Sequence, residues 1–277
     1  MSRSRLLWFG LSAALVLAAR GASAQAVGAA FGQRGQVAIS AERLLGVYVI
    51  DGEADQDGTA TGPGGATINA SRHTEGDATT VVLLGNDDAA GPAAIPRIGV
   101  DFFVIDRLSI GGSLFYWTDS SELETTGTNV LPGGPTITIP RNRVESDRHT
   151  LGFSPRVGYA YMFSPTFGIW PRGGITYATE KTEVTETNFD PDDGSVNNST
   201  KTETTISQLS LTLEGLLVIS PFEHIAFGVG PFVDFGLTGD IETDINTTTG
   251  GGPAVSHVEG DYGTTTFGIT SSLIAWF

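Results

Sequence analysis

Long runs in which apolar and polar side chains alternate are the feature that most constrains how this chain can fold. The clearest run extends from His224 to Asp240, where Ile225, Phe227 and Val229 share one face and small or polar residues share the other. A period of two residues is typical of strands whose two faces meet different surroundings. Eight such runs follow one another along the chain, at about 36–50, 95–105, 108–118, 148–163, 167–180, 208–219, 224–240 and 262–277.

The length of these runs indicates what the two faces meet. At about 11–17 residues each, they exceed the usual globular strand of about 5–6 residues and reach the roughly 9–11 residues that a tilted strand needs to cross a bilayer. We therefore expect an all-β protein, an eight-stranded antiparallel up-and-down transmembrane β-barrel. Ten strands stay possible if Thr79–Leu84 belongs to an extra hairpin, and a soluble barrel exported to the periplasm is the structural rival.

The links between the runs alternate in length. Short links lie at 106–107, 164–166 and 220–223, and long polar links lie at 51–94, 119–147, 181–203 and 240–261. Short turns at one end and long loops at the other are typical of bacterial outer-membrane barrels. Polar β-branched alternation continues into the third long link, at 176–184 and 201–206, and predicts a hairpin standing above the membrane there.

Charge follows the same division. The chain has 31 acidic and 15 basic residues and no cysteine. The four segments 51–95, 119–147, 180–203 and 240–261 hold 25 of the acidic residues and five of the basic ones. This balance excludes a nucleic-acid partner, because phosphate binding needs the opposite sign. The absence of cysteine excludes disulfides and thiolate metal sites.

The first 24 residues have the pattern of a secretory signal peptide. Arg3 and Arg5 precede an apolar stretch at 6–19, and the small residues of 22–24 end the segment. The apolar stretch is too short to span a bilayer as a helix. We therefore predict a signal peptide at 1–24 and one barrel domain at 25–277.

If the apolar face meets lipid, the opposite face fills the barrel. Strict alternation then points a set of charged residues inward, namely Glu42, Arg97, Asp101, Arg156, Arg172, Glu214 and Asp234. Buried charges are tolerated when they are paired, so we expect one layer of ion pairs, with Phe103, Phe115, Trp170 and Trp276 also pointing inward. The favoured interpretation is a filled lumen, and a narrow ion conduit is the alternative. Strict alternation would point Arg43 into lipid, unless a bulge lies beside it.

Two further patterns concern the strands. The motif Pro-Arg-x-Gly begins at Pro96, Pro155 and Pro171, and because proline lacks a ladder donor we expect local bulges there. Aromatic residues form two expected interfacial bands. The band at the long-loop end is Tyr48, Tyr116, Tyr177 and Phe235, and the band at the short-turn end is Phe102, Tyr161, Phe163, Phe167 and Phe277.

Chemical motifs are few, and we predict no catalytic residue, no cofactor and no dedicated metal site. An outer-membrane hydrolase would need a histidine close to a serine or an aspartate at the outer rim of the barrel. His149 with Ser146 or Asp147 is the only local candidate for such a pair in the sequence. The segment 53–58 partly matches a calcium loop, but Gly64 stands at position 12 where the motif requires Glu. Segment 190–194 matches less well. Divalent cations at the acidic loops are therefore an open expectation.

The end of the chain carries the most specific signature. The last strand places Phe267, Ile269, Leu273 and Phe277 on one face and ends on an aromatic residue. With the leader and the eight runs, it resembles the small outer-membrane barrels of the OmpA/OmpX-like class of Gram-negative bacteria. That resemblance implies recognition of the last strand by the barrel assembly machinery. It also implies an outer-membrane location among lipids and lipopolysaccharide, a monomer, and a structural or surface-interaction role at the cell surface.

Overall fold

The chain forms an antiparallel β-barrel. The computed structural model describes residues 30–61, 67–83, 91–130, 136–189, 196–249 and 252–277, so the predicted signal peptide lies outside the described residues. Among the described residues, no helix is long and apolar enough to span a bilayer. The strands are β1 (Val37–Thr61), β2 (Thr67–Leu83), β3 (Arg97–Ile105), β4 (Leu108–Val130), β5 (Thr136–Tyr159), β6 (Tyr161–Ser164), β7 (Phe167–Phe189), β8 (Val196–Phe222), β9 (Ile225–Thr249) and β10 (Gly252–Trp276), with one 3-10 turn at Pro92–Ala94.

Eight of these strands close a ring. The hydrogen-bonded order is β1, β3, β4, β5, β7, β8, β9 and β10, and β10 pairs back onto β1 from Ala38 opposite Trp276 upward. Strand β6 continues β5 beyond Ala160 and pairs with β7. All neighbours are antiparallel, which confirms the predicted all-β, eight-stranded antiparallel barrel.

Strand β2 shows whether the extra hairpin considered at Thr79–Leu84 adds strands to the ring. Residues 79–83 do form strand, but β2 pairs with β1 from Leu45 opposite Leu83 to Thr61 opposite Thr67. It therefore adds a hairpin arm beside the ring. Strand β3 takes the same edge of β1 only at 37–42. Above that level, no ladder joins β2 to β4 within the described part of the chain.

The four long links are strand over most of their described residues. The hairpin predicted from 176–184 and 201–206 in the third link is present in β7 and β8, and the expectation of loops is wrong for the strand residues of the other three links. Strands β1 and β2, β4 and β5, β7 and β8, and β9 and β10 continue as hairpins far beyond the apolar belt. Cross-strand polar pairs take over where apolar contacts stop, such as the Thr204 and Thr243 hydroxyls at 3.2 Å and the Asn188 amide donating to Asn198 at 2.7 Å. Such pairs stabilise a sheet without apolar burial.

The barrel exposes a belt of large apolar side chains. Outward residues of β3, β8, β9 and β10 are exposed in the same zone of the wall, among them Phe102, Leu213, Phe227 and Ile269. Seven of the nine aromatic residues expected near the two ends of this belt are exposed as well. Phe277 is partly buried. Tyr48 is fully buried inside the barrel, because it shares the inward parity of Glu42 along β1.

Candidate functional site in the barrel lumen

Alternation along the strands brings charged side chains together inside the barrel. The seven residues whose parity points inward all lie in the lumen, each at most 7% exposed. An eighth charged residue, Arg43, joins them and is fully buried. Because so many charges share one buried space, the geometry of their pairing decides whether the barrel tolerates them.

Arg156 from β5 holds two carboxylates at once. Its two terminal nitrogens donate to the two oxygens of Glu42 at 2.6 and 2.7 Å, and Nε and Nη2 donate to Asp101 at 3.1 and 2.6 Å. The planar guanidinium fits two such forks, which an ammonium group does not. Gly99 makes room for this contact, since a Cβ there would lie 2.5 Å from Arg156 Nη2 and 2.6 Å from Glu42 Oε1.

Arg172 from β7 extends the pairing across the lumen. Its Nη1 donates to Glu42 Oε1 at 2.6 Å, and its Nη2 donates to Glu214 Oε2 at 2.5 Å. The guanidinium also lies 4.7 Å from the centre of the Trp170 ring, where cation–π attraction stabilises it. Glu42 is therefore shared by two arginines, and its Oε1 accepts a further bond from the Ser40 hydroxyl at 2.6 Å.

Arg43 reaches the lumen through a bulge in β1. The pairing with β10 shifts between Glu42 and Gly46, and Arg43 itself has φ of +56°, in the left-handed region that favours glycine. Arg43 therefore does not point into lipid. The bulge that would make it an exception to strict alternation is present, and it turns two successive side chains inward. There its guanidinium donates to Asp234 at 2.8 and 3.2 Å and lies 3.5 Å from Glu214.

Arg97 ends the series. Its Nη2 lies 3.9 Å from Asp234 Oδ2, and its guanidinium lies 4.5 Å from the centre of the Phe115 ring. We call the complete set the luminal charge chain, because acid and base alternate along it. Its order is Asp101, Arg156, Glu42, Arg172, Glu214, Arg43, Asp234 and Arg97. Four carboxylates meet four guanidinium groups, so its formal charge is zero.

The prolines of the repeated motif do not aim the arginines through bulges. Pro155 and Pro171 lie in β5 and β7, and the register on either side of each is unchanged. Both prolines pair with glycine, Pro155 with Gly112 and Pro171 with Gly215. The bulges expected at Pro155 and Pro171 are therefore wrong, and simple alternation is what points Arg156 and Arg172 inward. Pro96 lies just before β3, whose first residue is Arg97.

An aromatic plug closes the lumen below the luminal charge chain. Phe31, which precedes β1, packs edge-on against Phe103, Trp170 and Trp276, with ring centroids 5.1–5.3 Å apart. Gln36 fixes this segment, because its amide oxygen accepts from the Gly32 and Gln33 nitrogens at 2.8 and 2.9 Å. The role of Phe31 was not evident from the sequence, since it lies outside the alternating runs.

A second segment crosses the lumen above the luminal charge chain. The short turn Pro92–Ala94 and the following Ile95 fold inward, with Ala94 against Tyr48 and Phe232, and Ile95 against Phe115 and Ala178. Its carbonyls accept from the arginines below, that of Ala93 from Arg43 and that of Pro92 from Arg97 at 3.4 Å. The apolar sequence between an acidic segment and β3 was the available signal for this segment.

Little space is left between these layers. The cavity bordered by Arg97, Arg156, Arg172 and Glu214 has a volume of about 10 Å³, which is at the lower limit for one water molecule. A continuous aqueous path needs far more. Among the described residues, the lumen is therefore filled by side chains at the level of the luminal charge chain.

The catalytic pattern considered from the sequence is not assembled. His149 Nδ1 lies 3.1 Å from the Thr118 hydroxyl. Asp147 lies on the same outer face of β5, and Ser146 lies on the opposite face, since successive residues alternate. The calcium-loop interpretation of 53–58 is wrong, because these residues are extended strand in β1. The segment 190–194 lies outside the described residues.

The C-terminal residues lie at the seam where the ring closes. Phe267, Ile269 and Leu273 are exposed on the outer face of β10. The Phe277 nitrogen donates to the Val37 carbonyl, and the Val37 nitrogen donates back to Phe277, both at 3.0 Å. The terminal residue thus joins the two ends of the barrel sequence.

Comparison with known proteins gives similar folds at low identity. The chain is similar to the outer membrane protein OprG of Pseudomonas aeruginosa, with 14% identity and a TM-score of 0.35 over 87% of this chain and 97% of that one. It is similar to the outer membrane protease OmpT of Escherichia coli, with 9% identity and a TM-score of 0.34 over 87% and 97%.

It is also similar to Ail, the attachment invasion locus protein of Yersinia pestis, with 10% identity and a TM-score of 0.26 over 84% of this chain and 99% of that one. No protein-family model and no curated protein matches the sequence. At these values the likenesses carry no argument about what the chain does.

Proposed function

We propose that the protein is an outer-membrane β-barrel with a closed lumen, which acts as a structural or surface-interaction protein through the hairpins that extend beyond the membrane. The observation that carries the proposal is the luminal charge chain, which is enclosed between the aromatic plug below it and the inward segment 92–95 above it. Eight strands enclose a space that side chains can fill, and here they fill it with a neutral network.

The apolar belt supports a membrane location. Soluble monomers rarely expose contiguous apolar patches larger than a few hundred Å², whereas this barrel exposes large apolar residues all around its wall. The outward face of 267–277 carries no charged residue, and 11 residues are enough to cross a bilayer at a tilt. A soluble periplasmic barrel would bury this belt or replace it with polar residues.

The exported location and the finer class are parts of the same proposal. The signal-peptide pattern of 1–24, the resemblance of the last strand to OmpA/OmpX-like barrels and the long hairpins at one end support it. Lipids and lipopolysaccharide are the proposed surroundings, and the barrel assembly machinery is the proposed partner of β10. The proposal includes no catalysis, and we place no reaction on His149.

Single-channel recording in planar bilayers tests the closed lumen. We expect purified, folded protein to give no ohmic steps. A double variant, Phe31→Ala with Trp170→Ala, empties the lower plug and shows whether the luminal charge chain alone blocks current. Stable steps from the unaltered protein would establish the narrow conduit instead.

Localisation is tested separately by membrane fractionation and by the gel mobility of heated against unheated samples. We expect the protein in the outer-membrane fraction, with a mobility that changes on heating as a folded barrel opens. Recovery of the protein in the soluble periplasmic fraction would contradict the proposed membrane location. The gel assay also reports whether each lumen variant folds before its conductance is interpreted.

A further inference from the structure

Two of the extended hairpins carry the same arrangement of four side chains on their outer face. On β1 and β2, Glu53 and Asp55 lie directly opposite Glu75 and His73. On β9 and β10, Glu242 and Asp244 lie directly opposite Glu259 and His257. Each set therefore reads Glu-x-Asp on one strand and His-x-Glu on its partner, with the same pairs facing each other.

The side-chain geometry is also the same in the two sets. His73 Nδ1 lies 2.6 Å from Asp55 and 4.0 Å from Glu53. His257 Nδ1 lies 2.7 Å from Asp244 and 4.0 Å from Glu242. In each set the same ring nitrogen faces both carboxylates, and the three ligand atoms lie within 4.8 Å of one another.

The other two hairpins balance their acids differently. On β7 and β8, Lys181 Nζ lies 2.6 Å from Glu203 and Lys201 Nζ lies 2.9 Å from Glu183. On β4 and β5, Arg143 lies 2.9 Å from Glu122. If the acids needed only a positive charge, lysine or arginine would serve in all four hairpins. The first and last hairpins instead place histidine there, which offers a neutral nitrogen ligand.

The use of histidine in the chain strengthens this contrast. The protein has four histidines, and two of them occupy the equivalent positions of the two sets. His149 contacts a threonine hydroxyl, and His224 Nδ1 lies 2.9 Å from the Trp276 carbonyl at a turn. Because β1 pairs with β10, the two histidine hairpins form one continuous four-stranded wall.

We propose that the set of Glu53, Asp55 and His73 and the set of Glu242, Asp244 and His257 are two binding sites for divalent cations of the zinc class, on the outer wall of the extended hairpins. One imidazole nitrogen with carboxylate oxygens is a donor set that suits zinc. Calcium takes six to eight oxygen ligands, which a flat strand face with one nitrogen does not supply.

The sites need only small side-chain movements to close. Zinc lies about 2.0–2.2 Å from nitrogen and oxygen ligands, so ligand atoms within 4.8 Å of one another already approach the required separation. The side chains of His73 and Asp55 are about half exposed and free to adjust. Water completes the coordination at an open outer face. At the second site Glu259 lies 3.9 Å from His257 Nε2, on the other side of the ring from Asp244 and Glu242, where a carboxylate orients the imidazole through its second nitrogen.

Zinc titration of the full mature barrel in detergent tests the proposal. With zinc chloride as the probe, calorimetry or equilibrium dialysis should find two ions per chain. His73→Ala should remove one, His257→Ala should remove the other, and the double variant should remove both. His149→Ala is the matched control, because His149 lies on the outer face of β5 beside the Thr118 hydroxyl and away from both acid sets, and it should leave both ions in place.

The variants His73→Lys and His257→Lys sharpen the test. They introduce the acid–lysine pairing of the third hairpin, so the acids keep a cation opposite them and the barrel keeps its heat-modifiable mobility while zinc binding disappears. Zinc binding that survives the histidine substitutions would overturn the proposal. So would displacement of zinc by an equal concentration of calcium, since both results would mean loose attraction to an acidic surface. Neither result depends on whether the barrel conducts.

Discussion

The inner and outer faces of the same strands carry charge in opposite ways. In the lumen, four carboxylates and four guanidinium groups alternate in one buried chain with zero formal charge. On the outer face of the hairpins, acidic residues outnumber basic ones, and the acids beside His73 and His257 have side chains that are 44–80% exposed. The difference teaches that burial enforces stoichiometric pairing, whereas water and salt tolerate an excess of one sign.

Removal of Arg156 should produce the largest loss. Arg156→Met leaves Asp101 buried without its main partner, and breaking a buried pair in this way costs about 3–5 kcal/mol. Urea unfolding of the barrel in lipid vesicles measures the free energy of unfolding. The matched outer change is Arg143→Met, which loses exposed pairs and should cost at most about 1 kcal/mol.

If Arg156→Met and Arg143→Met lowered the free energy of unfolding equally, the proposed difference between buried and exposed ion pairs would be wrong. A double variant tests whether the loss comes from an unpaired buried charge. Asp101→Asn removes the carboxylate that Arg156→Met leaves without its partner. The double variant should therefore be more stable than Arg156→Met alone, with a coupling of about 0.5–3 kcal/mol.

Replacement of one cation by another separates geometry from charge. Arg43→Lys keeps the positive charge but loses the two-nitrogen grip on Asp234 and the contact with the Ala93 carbonyl. We expect a loss of about 1.5–3 kcal/mol, which is typical of a hydrogen bond to a charged group. Lys181→Arg on the outer wall should leave the unfolding curve unchanged. If Arg43→Lys also left the free energy of unfolding unchanged, the geometry of the buried guanidinium would not matter for stability.

An added methyl group should lower the free energy of unfolding in the lumen and have no effect on the outer hairpins. Gly99→Ala places a Cβ against Arg156 and Glu42 and should cost about 1–3 kcal/mol through overpacking. Gly76 in β2 has no atom within 4 Å of the equivalent position, so Gly76→Ala should be neutral. Unfolding titrations of the two variants compare them directly.

The smallest expected effect belongs to the exposed ion pairs. Glu183→Gln breaks the pair with Lys201, and exposed pairs contribute only about 0.2–1 kcal/mol. The difference from the unaltered protein should shrink further at 1 M salt, where screening acts over about 3 Å. The penalty of Arg156→Met should persist at the same salt, and a salt-sensitive lumen would break the comparison.

Parity along the chain was sufficient to predict the barrel and most of the luminal charge chain. Arg97, Asp101, Arg156 and Arg172 point inward simply because their neighbours are apolar and point outward. Arg43 was not predictable in this way, because its direction depends on a shift between β1 and β10, strands at opposite ends of the sequence.

The outer wall was less predictable for a related reason. The first and last long links lack the regular apolar alternation that marks a strand and that predicts the hairpin of the third link, so their extended structure depends on cross-strand pairing in register. The opposition of His73 to Asp55 and of His257 to Asp244 follows from that register and from the position of each hairpin turn. No local pattern in the sequence specifies either.

The position of Glu42 and Arg43 on β1 has a consequence for folding kinetics. Their ion-pair partners come from β5, β7, β8 and β9, and β1 completes the ring only by pairing with β10, the last strand of the chain. The ion pairs in the middle of the series therefore form in the same step that joins the two ends of the sequence. Contacts between such distant residues are slow to form, so neutralisation of the lumen and closure of the barrel become a single late, cooperative event.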